Sequence, residues 1–362
     1  MHSKRENNYE LLRVISMISV IIIHVSATWI NGYSEYISSG GNLNRLIHPL
    51  LPCIYNSISR FAVPCFVMLT GAFLLSDSKN ANYREFYKKK FLKIGLPTLI
   101  FSVLYVLYRF VICLIKTEPG GYLGIIKDAI RGAPYSHMWY LYMLIGLYLL
   151  TPVVVRFKES VSYQNFRKIA FIFIILACLS NWTTGEIRVN WNIGQSFEYL
   201  GYFMVGYVLR KDISKNKTRG LWLVIIGLSC EIVLALVEYK VQIVGGITNP
   251  PFSIVKPYSP GVVIASLSIF AGFTMLTMEE NVIVLKLSKL SFLIYLIHAG
   301  VWDLVSKLTE FLSGEKHIYE TINPLYIPLF VLIVLVASIV LAKAYERIEH
   351  WIKYKYIRFI NR

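Results

Sequence analysis

The sequence predicts an all-α polytopic membrane protein with about ten transmembrane helices and both termini in the cytoplasm. Three observations predict it: 56% of residues are hydrophobic and only 16% charged, the mean hydropathy is +0.54, and the basic residues are unevenly shared between loops. A soluble domain carries about a quarter charged residues. A chain with so few cannot cover its surface with polar groups in water. Long apolar runs indicate helices rather than the weak alternation of a membrane barrel. Aromatics at 14% suit helices that also meet the membrane interface.

The apolar stretches fall near residues 11–30, 54–75, 91–115, 138–155, 168–182, 196–209, 220–238, 259–277, 285–304 and 325–345. The fifth and sixth are short for a bilayer that takes about 20 residues to cross, and are expected to be tilted, re-entrant or fully crossing. The first is too long for a cleavable signal and no small-x-small site follows it. With ten spans and both ends inside, the cytoplasmic segments hold 25 Lys and Arg, the external loops 9, and the spans Arg13, Arg60 and Arg109, which accounts for all 37. That asymmetry follows the positive-inside rule. It also explains a net charge of +16 without nucleic acid, which is not an expected partner. The external loops are expected near 31–53, 116–137, 239–258 and 305–324. Residues 1–362 are read as a single membrane-embedded domain with no appended soluble domain. The cysteines (Cys53, Cys65, Cys113, Cys178 and Cys230) are scattered singly, so they read as packing residues and no metal site is expected.

An ionisable side chain inside hydrocarbon is expensive, which makes each one a functional candidate. In the first span His24 follows Arg13 by eleven residues, about three helical turns, placing the two on one face roughly 16 Å apart. Snorkelling to headgroups is the plain alternative for Arg13, and a hydrogen-bonded core role that for His24. The second span reads Arg60-Phe-Ala-Val-Pro64, continuing to Thr70-Gly71. Pro64 invites a kink, and Gly71 lets a neighbouring backbone approach. His137, Trp139, Tyr140 and Tyr142 open the fourth span, where an aromatic belt accounts for the rings without function. The ninth carries Ser291, Tyr295 and His298 on one helical stripe, with His298 near mid-membrane. Arg109 and Glu198 lie in further spans and receive no chemical role.

These residues bring a family into view. Arg13-x10-His24 within "NNYELLRVISMISVIIIH" resembles the opening of the acyltransferase-3 family of integral-membrane O-acyltransferases. "RFAVPCFVMLTG" (Arg60 to Gly71) resembles its second-helix motif, with Thr70 in place of the usual serine. "HMWYLYMLIGLYLLTP", "YFMVGYVL" and "LSFLIYLIH" resemble its Trp-Tyr-Leu helix, a later helix and its Tyr-Leu-x-His motif, in chain order.

The resemblance implies a ten-helix enzyme that moves an acyl group, commonly acetyl, from cytoplasmic acyl-CoA to a hydroxyl. The acceptor it implies is a surface polysaccharide or a lipid-linked glycan precursor. Acetyl-CoA is expected as a co-substrate rather than a resident cofactor, in the cell membrane, with a homo-oligomer possible. The expected catalytic set is His24, His298 and Tyr295, with His24 as general base or transient acyl carrier. The expected substrate-binding set is Arg13, Arg60, Trp139, Tyr140 and Ser291. Trp29, Trp139, Trp182 and Trp191, beside Asn31, Asn181, Asn190 and Asn192, are expected to offer sugar-stacking faces and amides near external ends of spans. A proton-coupled transporter or exporter of a small polar solute or glycan is the rival reading, since it too buries Arg and His. Paired broken helices and repeat symmetry, which mark many transporters, are not seen in the sequence.

Overall fold

A computed structural model describes residues 6–115, 121–180, 195–247, 255–314 and 322–360 of the chain. It is 84% helix, with no strand among the described residues. The helices are α1 (Asn7–Ser38), α2 (Leu50–Ser57), α3 (Ala62–Leu74), α4 (Tyr83–Lys90), α5 (Leu96–Ile115), α6 (Gly121–Ile130), α7 (Trp139–Ser160), α8 (Tyr163–Ser180), α9 (Ser196–Asp212), α10 (Lys217–Glu238), α11 (Pro260–Met275), α12 (Val282–Ser313) and α13 (Ile327–Ile360). Wider π turns join α4 to α5 over Phe91–Gly95 and extend α10 through Tyr239–Val244.

Seven of these stretches are long and apolar enough to cross a membrane: Asn7–Ser38, Leu50–Leu74, Tyr83–Ile115, Trp139–Ser160, Lys217–Val244, Val282–Ser313 and Pro324–Trp351. The expected fifth, sixth and eighth spans are the shorter helices α8, α9 and α11. Helix ends follow local chemistry. Asn281 caps α12 by accepting from the backbone N–H groups of Ile283 and Val284, and Gly314, at φ 74°, closes it in the left-handed region. Pro260 sits in the first turn of α11, where its missing N–H costs nothing.

The second stretch departs from expectation. It is not one kinked helix but two, with Arg60 in the turn between α2 and α3. Pro64 does not kink a continuous helix, because it falls in the first turn of α3, where a ring replacing the N–H is tolerated. The expected loops are also shorter than read. Helix α1 runs on to Ser38 and α12 to Ser313, while residues 121–130 of the loop expected near 116–137 form α6.

The helices fall into two compact units: Met1–Ser59 with Ala235–Thr248 and Glu279–Arg362, and Arg60–Leu234 with Asn249–Met278. In the first, α1 packs on α2, α12 and α13. Asn7 Nδ2 donates to the Glu279 carbonyl, Arg13 Nη1 to Ser288 Oγ (3.2 Å), and Trp302 Nε1 to Thr28 Oγ1 (3.2 Å). Positions rise together on both helices, so α1 and α12 run parallel and in register. Asn56 pins α2 to α1 by donating to the Ile23 carbonyl and Ser26 Oγ, both at 3.1 Å.

In the second unit α3 and α9 cross backbone to backbone. A Cβ on Gly71 would stand 1.7 Å from the Phe203 carbonyl oxygen, and one on Gly206 2.1 Å from that of Met68. Two glycines therefore make the close approach that small residues allow between helices in a membrane. At the last turn of α3, Arg210 Nη1 donates to the Ala72 carbonyl (3.1 Å) with its guanidinium over the Phe73 ring, and Lys158 Nζ donates to the Leu75 carbonyl (2.6 Å). Cations thus meet the orphan carbonyls and negative dipole end of the helix.

Gly206→Ala is expected to force α3 and α9 apart at a cost of about 1–3 kcal/mol, typical of overpacking. Thermal unfolding of the detergent-solubilised protein measures it. An Ala at the open position Gly124 inside α6, where a Cβ meets nothing within 4 Å, should hold the midpoint or raise it slightly.

Candidate active site

The first unit gathers five of the expected site residues. His24 is preceded by seventeen residues of α1 and followed by fourteen, and His298 by sixteen and fifteen residues of α12, so each stands at the middle of a 32-residue helix. Their ring centroids are 5.1 Å apart with planes inclined at 53°. Parallel, in-register helices bring these central positions to the same level. A one-residue slip would move one ring about 1.5 Å along and turn it by about 100°.

The two imidazoles differ in setting. His298 is fully buried, and His24 is half-buried and keeps some accessible surface. The Nδ1 of His298 lies 2.7 Å from the Tyr295 carbonyl oxygen, which can only accept. Nδ1 therefore carries a proton, and in the neutral imidazole Nε2 is the nitrogen with the lone pair. Tyr295 lies against the same imidazole, ring centroids 5.4 Å apart, so its backbone and ring both hold His298 in place. Ser291, one step earlier on the stripe, is buried and donates to the Ser288 carbonyl at 2.8 Å.

Toward the start of both helices lies a compact charged group. Arg13 Nη1 meets Glu10 Oε2 at 2.7 Å, and the Ser288 hydroxyl bonds to the same carboxylate as well as accepting from Arg13. Glu10 is buried, while the Arg13 side chain keeps 28% of its surface. Arg13 is thus an ion-paired, oriented cation with an exposed edge. Sequence reading missed Glu10 and Ser288. The i, i+3 spacing of Glu10 and Arg13 on one helix was the signal that could have found the first. Glu231 and Glu238, both fully buried acids of α10, were missed as well; Glu238 accepts from Ser57 Oγ at 2.9 Å.

Arg60, Trp139 and Tyr140 belong to the second unit. Trp139 packs on Tyr199 with ring centroids 6.1 Å apart, and Tyr140 on Phe66 at 6.3 Å. His137 is buried beside Tyr105 and Tyr135, as a core residue would be. Arg109 is tied to Asp128 at 2.9 Å and to the Pro134 carbonyl, which accounts for its charge without chemistry.

One expected sugar platform is overturned. Trp29 is completely buried, donates from Nε1 to the Ile322 carbonyl (3.0 Å), stacks on Trp302 and lies tilted against Phe330. Its indole face is spent on packing and cannot meet a sugar. Trp182, Trp191, Asn181, Asn190 and Asn192 lie outside the described residues, and Asn31 is exposed.

Ser288→Ala removes a hydroxyl shared by Glu10 and Arg13. A loss of about 1–3 kcal/mol is expected, the range for a buried polar group deprived of its partner, read as a lower unfolding midpoint. Ser313→Ala, at the exposed end of α12, serves as the neutral control.

Comparison with known proteins bears on what this arrangement is for. No curated protein sequence and no solved structure gives a match. The model of one family, described as an acyltransferase domain, matches residues 6–343, essentially the whole chain. That stretch takes in α1 with Arg13 and His24, the Arg60 turn, Trp139 and the Ser291–His298 stripe. The chain belongs to the acyltransferase-3 family and is a membrane acyltransferase.

Proposed function

We propose that the protein transfers an acyl group, acetyl in the first instance, from acyl-CoA to a hydroxyl of a cell-surface polysaccharide or lipid-linked glycan precursor. The observation that carries this reading is the meeting of His24 and His298 at the centres of two parallel helices, with only His24 keeping accessible surface. A neutral imidazole is suited to take a proton from a hydroxyl near neutral pH. In the proposed step the acceptor O–H gives its proton to His24 as its oxygen forms a bond to the thioester carbonyl carbon. The tetrahedral intermediate then collapses, the C–S bond breaks, and the imidazolium returns the proton to the CoA thiolate. His298 sets the orientation of its neighbour, with its own tautomer held by the Tyr295 carbonyl. A transient acyl-His24 divides the same balance into two transfers and uses the same residues.

Arg13 is assigned to the phosphates of the donor. Glu10 and Ser288 hold its guanidinium from one side, and its remaining donors suit a phosphate. Arg60, Trp139 and Tyr140 remain the proposed acceptor-binding set, with a mixture of cation, indole and phenol suited to a carbohydrate.

The topology proposed with this function is ten crossings of the cell membrane, both termini cytoplasmic. The parallel run of α1 and α12 supports it. Parallel spans need an odd number of crossings between them, whereas the long apolar stretches between them, Leu50–Leu74, Tyr83–Ile115, Trp139–Ser160 and Lys217–Val244, give an even number. One or three of α8, α9 and α11 must then also cross. If all three cross, the total is ten, both ends share a side, and the basic residues fall on that side as the positive-inside rule requires.

The test is release of free CoA thiol from acetyl-CoA by purified protein with a glycan acceptor. His24→Ala is expected to lower the rate by a factor of about a hundred or more with folding intact. Arg13→Ala should raise KM for acetyl-CoA, and Arg13→Lys should recover only part of it, because an ammonium lacks the bidentate fork. Normal turnover by His24→Ala, or solute movement across vesicles without thiol release, would contradict the reading.

A further inference from the structure

We infer that Trp302 and Thr28 are positioning residues that fix the register of the two histidines, an inference that rests on the proposed role of His24. Each lies four residues beyond its histidine: Thr28 after His24 on α1, Trp302 after His298 on α12. Four residues advance a helix by about 6 Å and about 40° past one full turn, so the pair Thr28–Trp302 stands one turn above the pair His24–His298 on the same facing surfaces.

The contact is directional. An indole N–H can only donate, so the 3.2 Å separation is a bond from Trp302 Nε1 to the Thr28 hydroxyl oxygen. The Trp302 ring is held from two further sides, stacked on Trp29 (6.3 Å, 25°) and edge-on to Phe330 (5.7 Å, 70°). Trp29 is itself anchored to the Ile322 carbonyl. Trp29 stands beside Thr28 on α1, so a slide of α1 would break its bond to Ile322 together with the bond from Trp302, whose ring is braced by Phe330 of α13. The two bonds hold α1 at one height.

A single fastening would still let α1 pivot. The bond from Arg13 to Ser288 supplies the second, on the other side of the histidines. The two fastenings are fifteen residues apart on α1 and fourteen on α12, lengths that agree to about 1.5 Å along the axis. The histidine pair lies between them, much nearer the tryptophan end. Misplacement of reacting groups by about 1 Å can cost about a hundredfold in rate. The indole–threonine bond thus acts through His24 and His298 rather than on substrate.

The experiment uses the full chain in detergent or nanodiscs, with acetyl-CoA and a glycan acceptor. Trp302→Phe keeps an aromatic ring and loses the N–H; Thr28→Val keeps the shape and loses the hydroxyl. Each is expected to lower kcat about tenfold, with KM for acetyl-CoA within about twofold of the parent. The double variant should be no worse than the worse single one, because both remove the same bond. Thr28→Ser, which keeps the acceptor, should restore turnover. Unchanged kcat in both single variants overturns the inference, as does additive loss in the double variant or a fall in folded yield with normal kcat per folded molecule. His24→Ala is run alongside: if it is inactive while the two variants are normal, the role of His24 stands and only the positioning role falls. Full activity of His24→Ala removes both.

Discussion

The parallel, in-register pairing of α1 with α12 is the constraint on which the rest of the structure depends. Two helices that cross at one point meet over a few residues. These two keep company from Asn7 beside Glu279, through Arg13 and His24, to Thr28 beside Trp302. Glu10, Ser288 and His298 are buried along this seam, and a buried polar group is costly without a hydrogen-bond partner. Polar side chains at matched heights make the pairing specific in a way that apolar packing between lipid-facing helices does not. The same parallel direction limits how many times the chain can cross between the two helices.

Each charge along the seam is placed for a reason that burial explains. Glu10 is buried and would be costly alone, but with Arg13 and Ser288 it becomes part of a closed set. Arg13 in turn is held where its exposed edge can meet an anion. His298 is fully buried, with a carbonyl fixing its tautomer, whereas His24 reaches accessible space. In the proposed reaction His298 is the support and His24 the working group, a division that follows this difference in burial.

Much of this was legible in the sequence because a membrane makes polar residues conspicuous. Arg13, His24 and His298 stood out against apolar runs, and their spacing along a helix fixed a common face for Arg13 and His24. That His298 would meet His24 was not readable, since the pairing of two helices more than 270 residues apart is a property of packing rather than of local period. Trp29 was misread for a related reason: a tryptophan near the end of a span looks like an interface anchor, and only its bond to Ile322 and its stack on Trp302 show that it faces inward. Arg60 looked like a charge within a helix, yet the chain breaks there, with Pro64 starting the next helix instead of bending the last. Glu10 illustrates a residue in plain view whose importance came only from its neighbours.

The most direct measurement of the α1–α12 pairing is cysteine cross-linking in native membranes, on a chain with its own cysteines replaced. Paired cysteines at positions 13 and 288 and at 28 and 302 should be joined by a short thiol cross-linker, while 13 with 302 and 28 with 288 should not. The reverse pattern would mean antiparallel helices. It would separate His24 from His298 and contradict the account at its root.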